Sequence, residues 1–248
     1  MSGILQDIAA AFQFLTRLPF PRLPYRPDAL ARATKFFPLV GLALGIAVAA
    51  IYRLLTPHLP AFVVALLVVL FSTLATGGLH EDGLADVADA FGGGWNKDKV
   101  LEIMRDSRVG SFGALAIVFS IAGRVLLLAN LPPDAFIPYA ISAEVLSRWT
   151  VLPLGATLPS AREQPGQGAR IARQVSGISL AIGTMLAFCI VGGLLRCYLW
   201  IPIVAASAVA LISGLYYRQR IGGITGDCFG ATIQLTLAAV YLCGVWRT

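Results

Sequence analysis

The chain has 248 residues, of which 57% are apolar and only 13% charged, and its mean hydropathy is +0.78. That balance excludes an ordinary soluble domain, and its continuous apolar blocks exclude a barrel of alternating strands, so composition predicts an all-α, polytopic bundle of membrane helices. The formal charge of +6 needs no nucleic acid, because basic loops that set membrane orientation account for it.

In chain order, "MSGILQDIAAAFQFLTRLPFP" comes first, apolar but interrupted by Asp7 and Arg17. It predicts a retained amphipathic helix at the membrane interface, not a cleaved signal. Apolar windows follow at about 36–56, 61–79, 112–131, 135–157, 178–195, 197–216 and 229–246, which makes seven candidate spans in one integral domain, 1–248. Small residues, as in "GLALGIAVAA" and "GATIQLTLAA", suit close helix approach in lipid. Cys189, Cys197, Cys228 and Cys243 lack metal-ligand spacing and receive no redox or metal role.

Seven spans place segments 1–35, 80–111, 158–177 and 217–228 on one side. They hold Arg17, Arg22, Arg26, Arg32, Lys35, Lys97, Lys99, Arg105, Arg108, Arg162, Arg170, Arg173, Arg218 and Arg220, fourteen of the 19 basic residues. The opposite side keeps Arg53, Arg196 and Arg247, while Arg124 and Arg148 fall inside spans. The positive-inside rule therefore puts the N-terminus and the polar connections in the cytoplasm.

Acid is concentrated on that same side. Of 13 acidic residues, seven (Glu81, Asp82, Asp86, Asp89, Asp98, Glu102, Asp106) lie in 80–111, and most of these belong to "GGLHEDGLADVADAFGGG". If helix continues out of the second span, Asp82, Asp86 and Asp89 stand at i, i+4 and i+7 and project within about 60° of one another. Like charges that close repel unless a cation neutralises them, and an all-oxygen donor set favours a hard ion such as Mg²⁺. A merely solvated helix end is the plain alternative, but carboxylates there oppose the helix dipole. Glu81 points elsewhere on the wheel, and a lone His80 serves structure or function equally well.

Two more patches share the side. "MRDSRVGSFG" brings Arg105, Asp106 and Arg108 to the start of the third span, where arginines either anchor topology or pair with phosphate. "RQRIGGITGDCFGATIQLT" sets Arg218, Arg220, a glycine-rich turn, Thr225 and Asp227 before the last span, and glycines let backbone N–H groups approach an anion. Carboxylates, arginines and a hard cation together suit phosphoryl or phosphodiester transfer. The absence of GxxxxGK[ST] points to an activated diphosphate donor rather than to ATP.

"FLTRLPFP", "FFPLVGLALG", "GGLHEDGLADVADAFGGG", "IMRDSRVGSFG" and "GGITGDCFGA", in this order over nearly the whole chain, resemble cobalamin synthase, the adenosylcobinamide-GDP ribazoletransferase family. The resemblance implies an Mg²⁺-dependent, multi-pass enzyme of the bacterial inner membrane. It implies that adenosylcobinamide-GDP is joined to α-ribazole or its 5′-phosphate, giving adenosylcobalamin or its phosphate and GMP. Carried onto this sequence, it places the family's acidic motif on Glu81, Asp82, Asp86 and Asp89 and its later blocks on Asp106, Arg108 and Asp227. The expected roles are then Asp82, Asp86 and Asp89 as metal ligands, and Glu81, Arg105, Arg108, Arg218, Arg220, Thr225 and Asp227 as substrate contacts. Asp89 or Asp106 becomes the general base. Assembly into a homo-oligomer is left open.

Two other readings stand beside this one. A CDP-alcohol phosphotransferase would use related chemistry, but "DGLAD" departs from its DGxxAR opening. An ion or proton transporter would explain the intramembrane Arg124, Glu144 and Arg148, which helix-to-helix pairing also explains.

Overall fold

The structure, a computed structural model, describes residues 3–19, 29–162, 171–172, 174–198 and 200–246. Arg22, Arg26, Arg170, Arg173 and Arg247, which entered the orientation argument, lie outside them, as does the side chain of Cys197. The described chain is helical: α1 (Gly3–Leu15), α2 (Ala29–Ala33), α3 (Phe37–Leu55), α4 (Ala61–Thr76), α5 (Leu79–Gly93), α6 (Lys97–Ile103), α7 (Ser111–Ala129), α8 (Pro133–Trp149), α9 (Val151–Thr157), α10 (Gly177–Leu195), α11 (Trp200–Ile221) and α12 (Gly226–Trp246).

Five stretches are long and apolar enough to cross a membrane: Leu30–Leu55, Ser111–Ala129, Gly177–Leu195, Trp200–Ile221 and Gly226–Trp246. The seven expected spans thus reduce to five by that measure, or to six if α4 and the helix bent away from it count as one span, and α4 and α8 each fall short in length. α4 has 16 residues, which rise only about 24 Å. Its helix does not continue into the acidic stretch as the sequence suggested. Gly77 and Gly78, at φ +67° and +70°, end α4 in left-handed conformations open to glycine. α5 then departs at 89°.

α8 has 17 residues, and protein rather than lipid surrounds it. From Ala135 to Trp149 nearly every side chain is buried, Ser142, Glu144, Ser147 and Arg148 among them. α3 runs along it at very close range: a Cβ added at Gly41 would land on the Glu144 carbonyl, and one at Gly45 would stand 2.8 Å from the Ile141 Cα. Such small-residue crossings are how helices associate where lipid supplies no hydrophobic drive.

The buried charges in this core are paired. Arg148 bonds Glu144 one turn earlier in α8, and Ser72 of α4 donates to the other Glu144 oxygen at 2.9 Å. Arg124 of α7 bonds Glu81 of α5 at 2.9 Å, with Arg124 only 2% exposed. These are the pairings expected of costly intramembrane charge.

Among the described residues, parts of the four polar segments expected to share a side lie at one end of the bundle, the first of them through a contact with the end of α4. The Arg17 amide donates to the Ala75 carbonyl at 2.7 Å, Arg162 reaches the Met104 carbonyl at 3.4 Å, and Arg220 reaches that of Gly94 at 2.8 Å. α1 is tied down there by Asp7, 4% exposed, which accepts from Lys35 at 2.9 Å and Arg32 at 3.3 Å.

Candidate active site

α5 carries the acidic motif across this end of the bundle, and its position is set by contact with α12. A Cβ on Gly83 would stand 2.8 Å from the Asp227 carbonyl, and one on Gly230 would be 3.3 Å from the His80 Cα. Only glycine allows backbones this close. With Gly83 against the first turn of α12, Asp82 and Asp86 come near enough to Asp227 for the charges of the three to act on one another.

A second support reaches Asp227 from the segment after α9. The Ala161 amide donates to the Ile224 carbonyl at 3.0 Å, and the Ile224 amide donates to Pro159 at 2.8 Å. This bridge, Ser160 with Ile224, brings Arg162 to Asp227 at 3.2 Å. The Thr225 hydroxyl, buried, also bonds Asp227 at 3.2 Å. Asp82, His80, Ser160, Arg162, Thr225 and Asp227 form the polar lining of a cavity of about 230 Å³.

Asp86, partly buried, has its carboxyl pKa raised to about 7, first by desolvation and then by the charges of Asp227 and Asp82. His80 is driven the other way: burial, then the Arg148 guanidinium, holds its imidazole well below the usual range. The imidazole is therefore neutral.

Several expected site residues are held by other parts of the protein. Asp89 does not join Asp82 and Asp86. Its two oxygens accept from the Gly110 and Gly113 amides at 2.7 and 2.8 Å, so it caps the start of α7. Among the described residues no three His, Cys, Asp or Glu side chains gather as a ready metal cage. The neighbour that Asp82 and Asp86 do acquire is Asp227.

Asp106 is held by Arg108, which contacts both its oxygens and reaches one at 2.6 Å. The side-chain bond and then the Arg108 amide depress its carboxyl to about 2, which unsuits it to take a proton near neutrality. Glu81 lies in the interior with Arg124 and Thr73, away from the cavity. Arg220 closes the far end of α5, bonding the Phe91 and Gly94 carbonyls.

Arg105 and Arg218 are exposed, and Arg218 is carried on α11, which continues to Ile221 where a loop was expected. The glycine turn itself spends its Ile224 amide on Pro159 rather than offering it to an anion.

Arg162 was missed as a site residue, having been read only as one of many topology-setting arginines. Nothing local marks it, because its role depends on pairing between segments more than 60 residues apart.

Fold and cavity together define a multi-pass helical membrane protein with a carboxylate and arginine pocket at one end of the bundle. The family described as Cobalamin-5-phosphate synthase matches residues 7–245, and the chain belongs to it. Among its relatives are adenosylcobinamide-GDP ribazoletransferases of Azorhizobium caulinodans (41% identical, covering 98% of this chain and 96% of the relative) and Vibrio cholerae (36%, covering 96% and 92%). The Leptospira interrogans protein of the same name is 36% identical, covering 94% and 92%. No solved structure matches the chain.

Proposed function

We propose that this chain transfers the phosphoryl-linked cobinamide of adenosylcobinamide-GDP to α-ribazole or its 5′-phosphate, forming adenosylcobalamin or its phosphate and releasing GMP. The observation that carries the site assignment is the convergence of Asp82, Asp227 and Arg162 from three separate segments at one cavity, with Asp86 near enough to feel the charges of Asp227 and Asp82.

The donor set suits Mg²⁺, since all donors are hard oxygens, and Asp86 is already raised by burial first and then by the charges of Asp227 and Asp82. A closed cage is not required, because Mg²⁺ commonly binds through one or two carboxylates and keeps its other positions for water and substrate phosphate. Asp82 and Asp227, which line the cavity, are the holding pair. The bound ion would neutralise charge on the diphosphate oxygens.

Arg162, which lines the cavity, steadies the same oxygens through its guanidinium. Asp86, poised near neutrality, takes the proton of the acceptor's 3′-hydroxyl. The new bond forms from that oxygen to the phosphorus on the cobinamide side, the bond to the guanylate oxygen breaks, and GMP leaves. The basic residues gathered at this end favour a cytoplasmic face of the bacterial inner membrane.

The test is purified protein in nanodiscs with adenosylcobinamide-GDP, α-ribazole and Mg²⁺, following corrinoid product and GMP by mass spectrometry. Products that require both substrates and vanish with EDTA support the reading. Folded protein that forms neither rejects it.

A further inference from the structure

The cavity has a second half that the phosphate chemistry leaves unused. Phe14 and Leu15 from α1, Phe37 from α3, Val151 from α9, and Phe229 and Ile233 from α12 line it. Phe14 and Phe37 stack with ring centroids 5.8 Å apart and planes 16° from parallel, so one wall is a ready aromatic surface.

At about 230 Å³ the space is smaller than the roughly 300–1,000 Å³ of pockets that hold whole drug-sized ligands. It therefore takes part of a substrate, not a corrinoid or an entire nucleotide. A guanine would bring several polar edge groups against phenylalanine and isoleucine and leave them unpaired, which is costly. A flat, mostly apolar bicyclic base meets no such penalty. One polar contact is available: His80, 2% exposed, lines the same cavity, and its Nε2 has no hydrogen-bond partner among the described residues.

We propose that this half of the cavity receives the aromatic base of the riboside acceptor, with Phe14, Phe37 and Phe229 as its specificity-determining contacts and His80 as its polar contact. The proposal rests on the transferase reading, in which the acceptor α-ribazole joins a benzimidazole to ribose. A base lodged there leaves the ribose toward Asp82 and Asp227, which line the polar half. α1 thereby becomes part of the acceptor site, beyond the interfacial helix expected from the sequence.

The test is equilibrium binding, by calorimetry in nanodiscs, of free ribosides that differ only in their base: imidazole, benzimidazole, 5,6-dimethylbenzimidazole and adenine. The benzimidazoles bind at least about tenfold more tightly than imidazole and adenine. Phe14→Ala, at a partly exposed position of α1, weakens the benzimidazoles about tenfold, changes imidazole little, and leaves the KM of the GDP-activated donor in place. Equal affinities across the wild-type series, or a Phe14→Ala loss that is the same for every base, overturn the proposal. Because binding needs no turnover, base selectivity without GMP release would reject the transferase reading and keep the pocket. GMP release without base selectivity would do the reverse.

Discussion

Arg162 and Asp227 meet at 3.2 Å although 65 residues separate them, with side chains 24% and 25% exposed. The pair joins the segment after α9 to the first turn of α12, and sets a cation beside a carboxylate at the mouth of the cavity. A guanidinium half-shielded from water gives more per hydrogen bond than one on open surface.

Removing that cation should show as lost donor binding. Charge-assisted hydrogen bonds contribute about 1.5–3 kcal/mol, so Arg162→Ala is expected to raise the KM for adenosylcobinamide-GDP about 10- to 100-fold. Arg162→Lys restores only part of this, since an ammonium lacks the planar fork. Steady-state kinetics over a donor series checks both. An unchanged donor KM in Arg162→Ala would remove Arg162 from the site.

Asp82→Asn and Asp227→Asn should each lower kcat by at least about 100-fold and raise the Mg²⁺ concentration for half-maximal rate. Asp82 is exposed, so its variant still inserts and melts as the parent does, which separates loss of chemistry from loss of fold. Magnesium titrations of turnover with a melting curve on each variant give the answer.

The site was half legible in the sequence, and the division is physical. Asp82 and Asp86 were found because a spacing of four on one helix is local information. Glu144 and Arg148 also stand four apart, and they pair within α8. Asp89 keeps the same register on α5, yet the Gly110 and Gly113 amides claim it, and nothing within residues 77–94 reveals a partner from the next helix. Arg162 and Asp227 are brought together by a bridge between distant loops. α8 was expected only as one span among seven, and packing shows that it is enclosed within the bundle. The two glycines that turn α5 by 89° were visible as "GG", but the angle depends on where α5 docks on α12.

The cap that Asp89 provides predicts a stability effect with a geometric signature. Asp89→Ala frees two amides at the start of α7 and is expected to cost about 0.5–2 kcal/mol. Gly113→Ala should do comparable damage from the other side, because its new Cβ would collide with the Asp89 carboxylate and approach the Ala85 carbonyl at 3.0 Å. The two losses should not add, since both break the same contact. Denaturation of the single and double variants in detergent measures this, and full additivity would refute the shared mechanism.

Glu81 and Arg124 form a buried pair that fixes α5 to α7. Glu81→Gln alone leaves the guanidinium without its counter-ion, which is expected to cost about 3–5 kcal/mol. Pairing it with Arg124→Met removes the stranded charge and should recover a large part of the loss. Folded yield and melting temperature of the three variants test this, and a double variant worse than Glu81→Gln would contradict it.

Asp86 yields a pH dependence whose sign is opposite to that of a salt-bridged acid. Its carboxyl titrates near 7 in the folded protein against an ordinary value of 3.8, so the folded state holds its proton more tightly than the unfolded chain does. Without metal, the unfavourable contribution of this group is absent below about pH 4, grows as pH rises toward 7, and stays constant above. Asp86→Asn removes it. In EDTA the variant should therefore melt at the parent's temperature near pH 4 and above it near pH 8. With Mg²⁺ present, the advantage at pH 8 should shrink or reverse, because the ion supplies the neutralising charge that Asn provides by other means. Turnover of the variant should fall at every pH, since the group that accepts the hydroxyl proton is gone. A melting difference that is the same at pH 4 and pH 8 would mean that burial, with repulsion from Asp227 and Asp82, does not raise the Asp86 carboxyl.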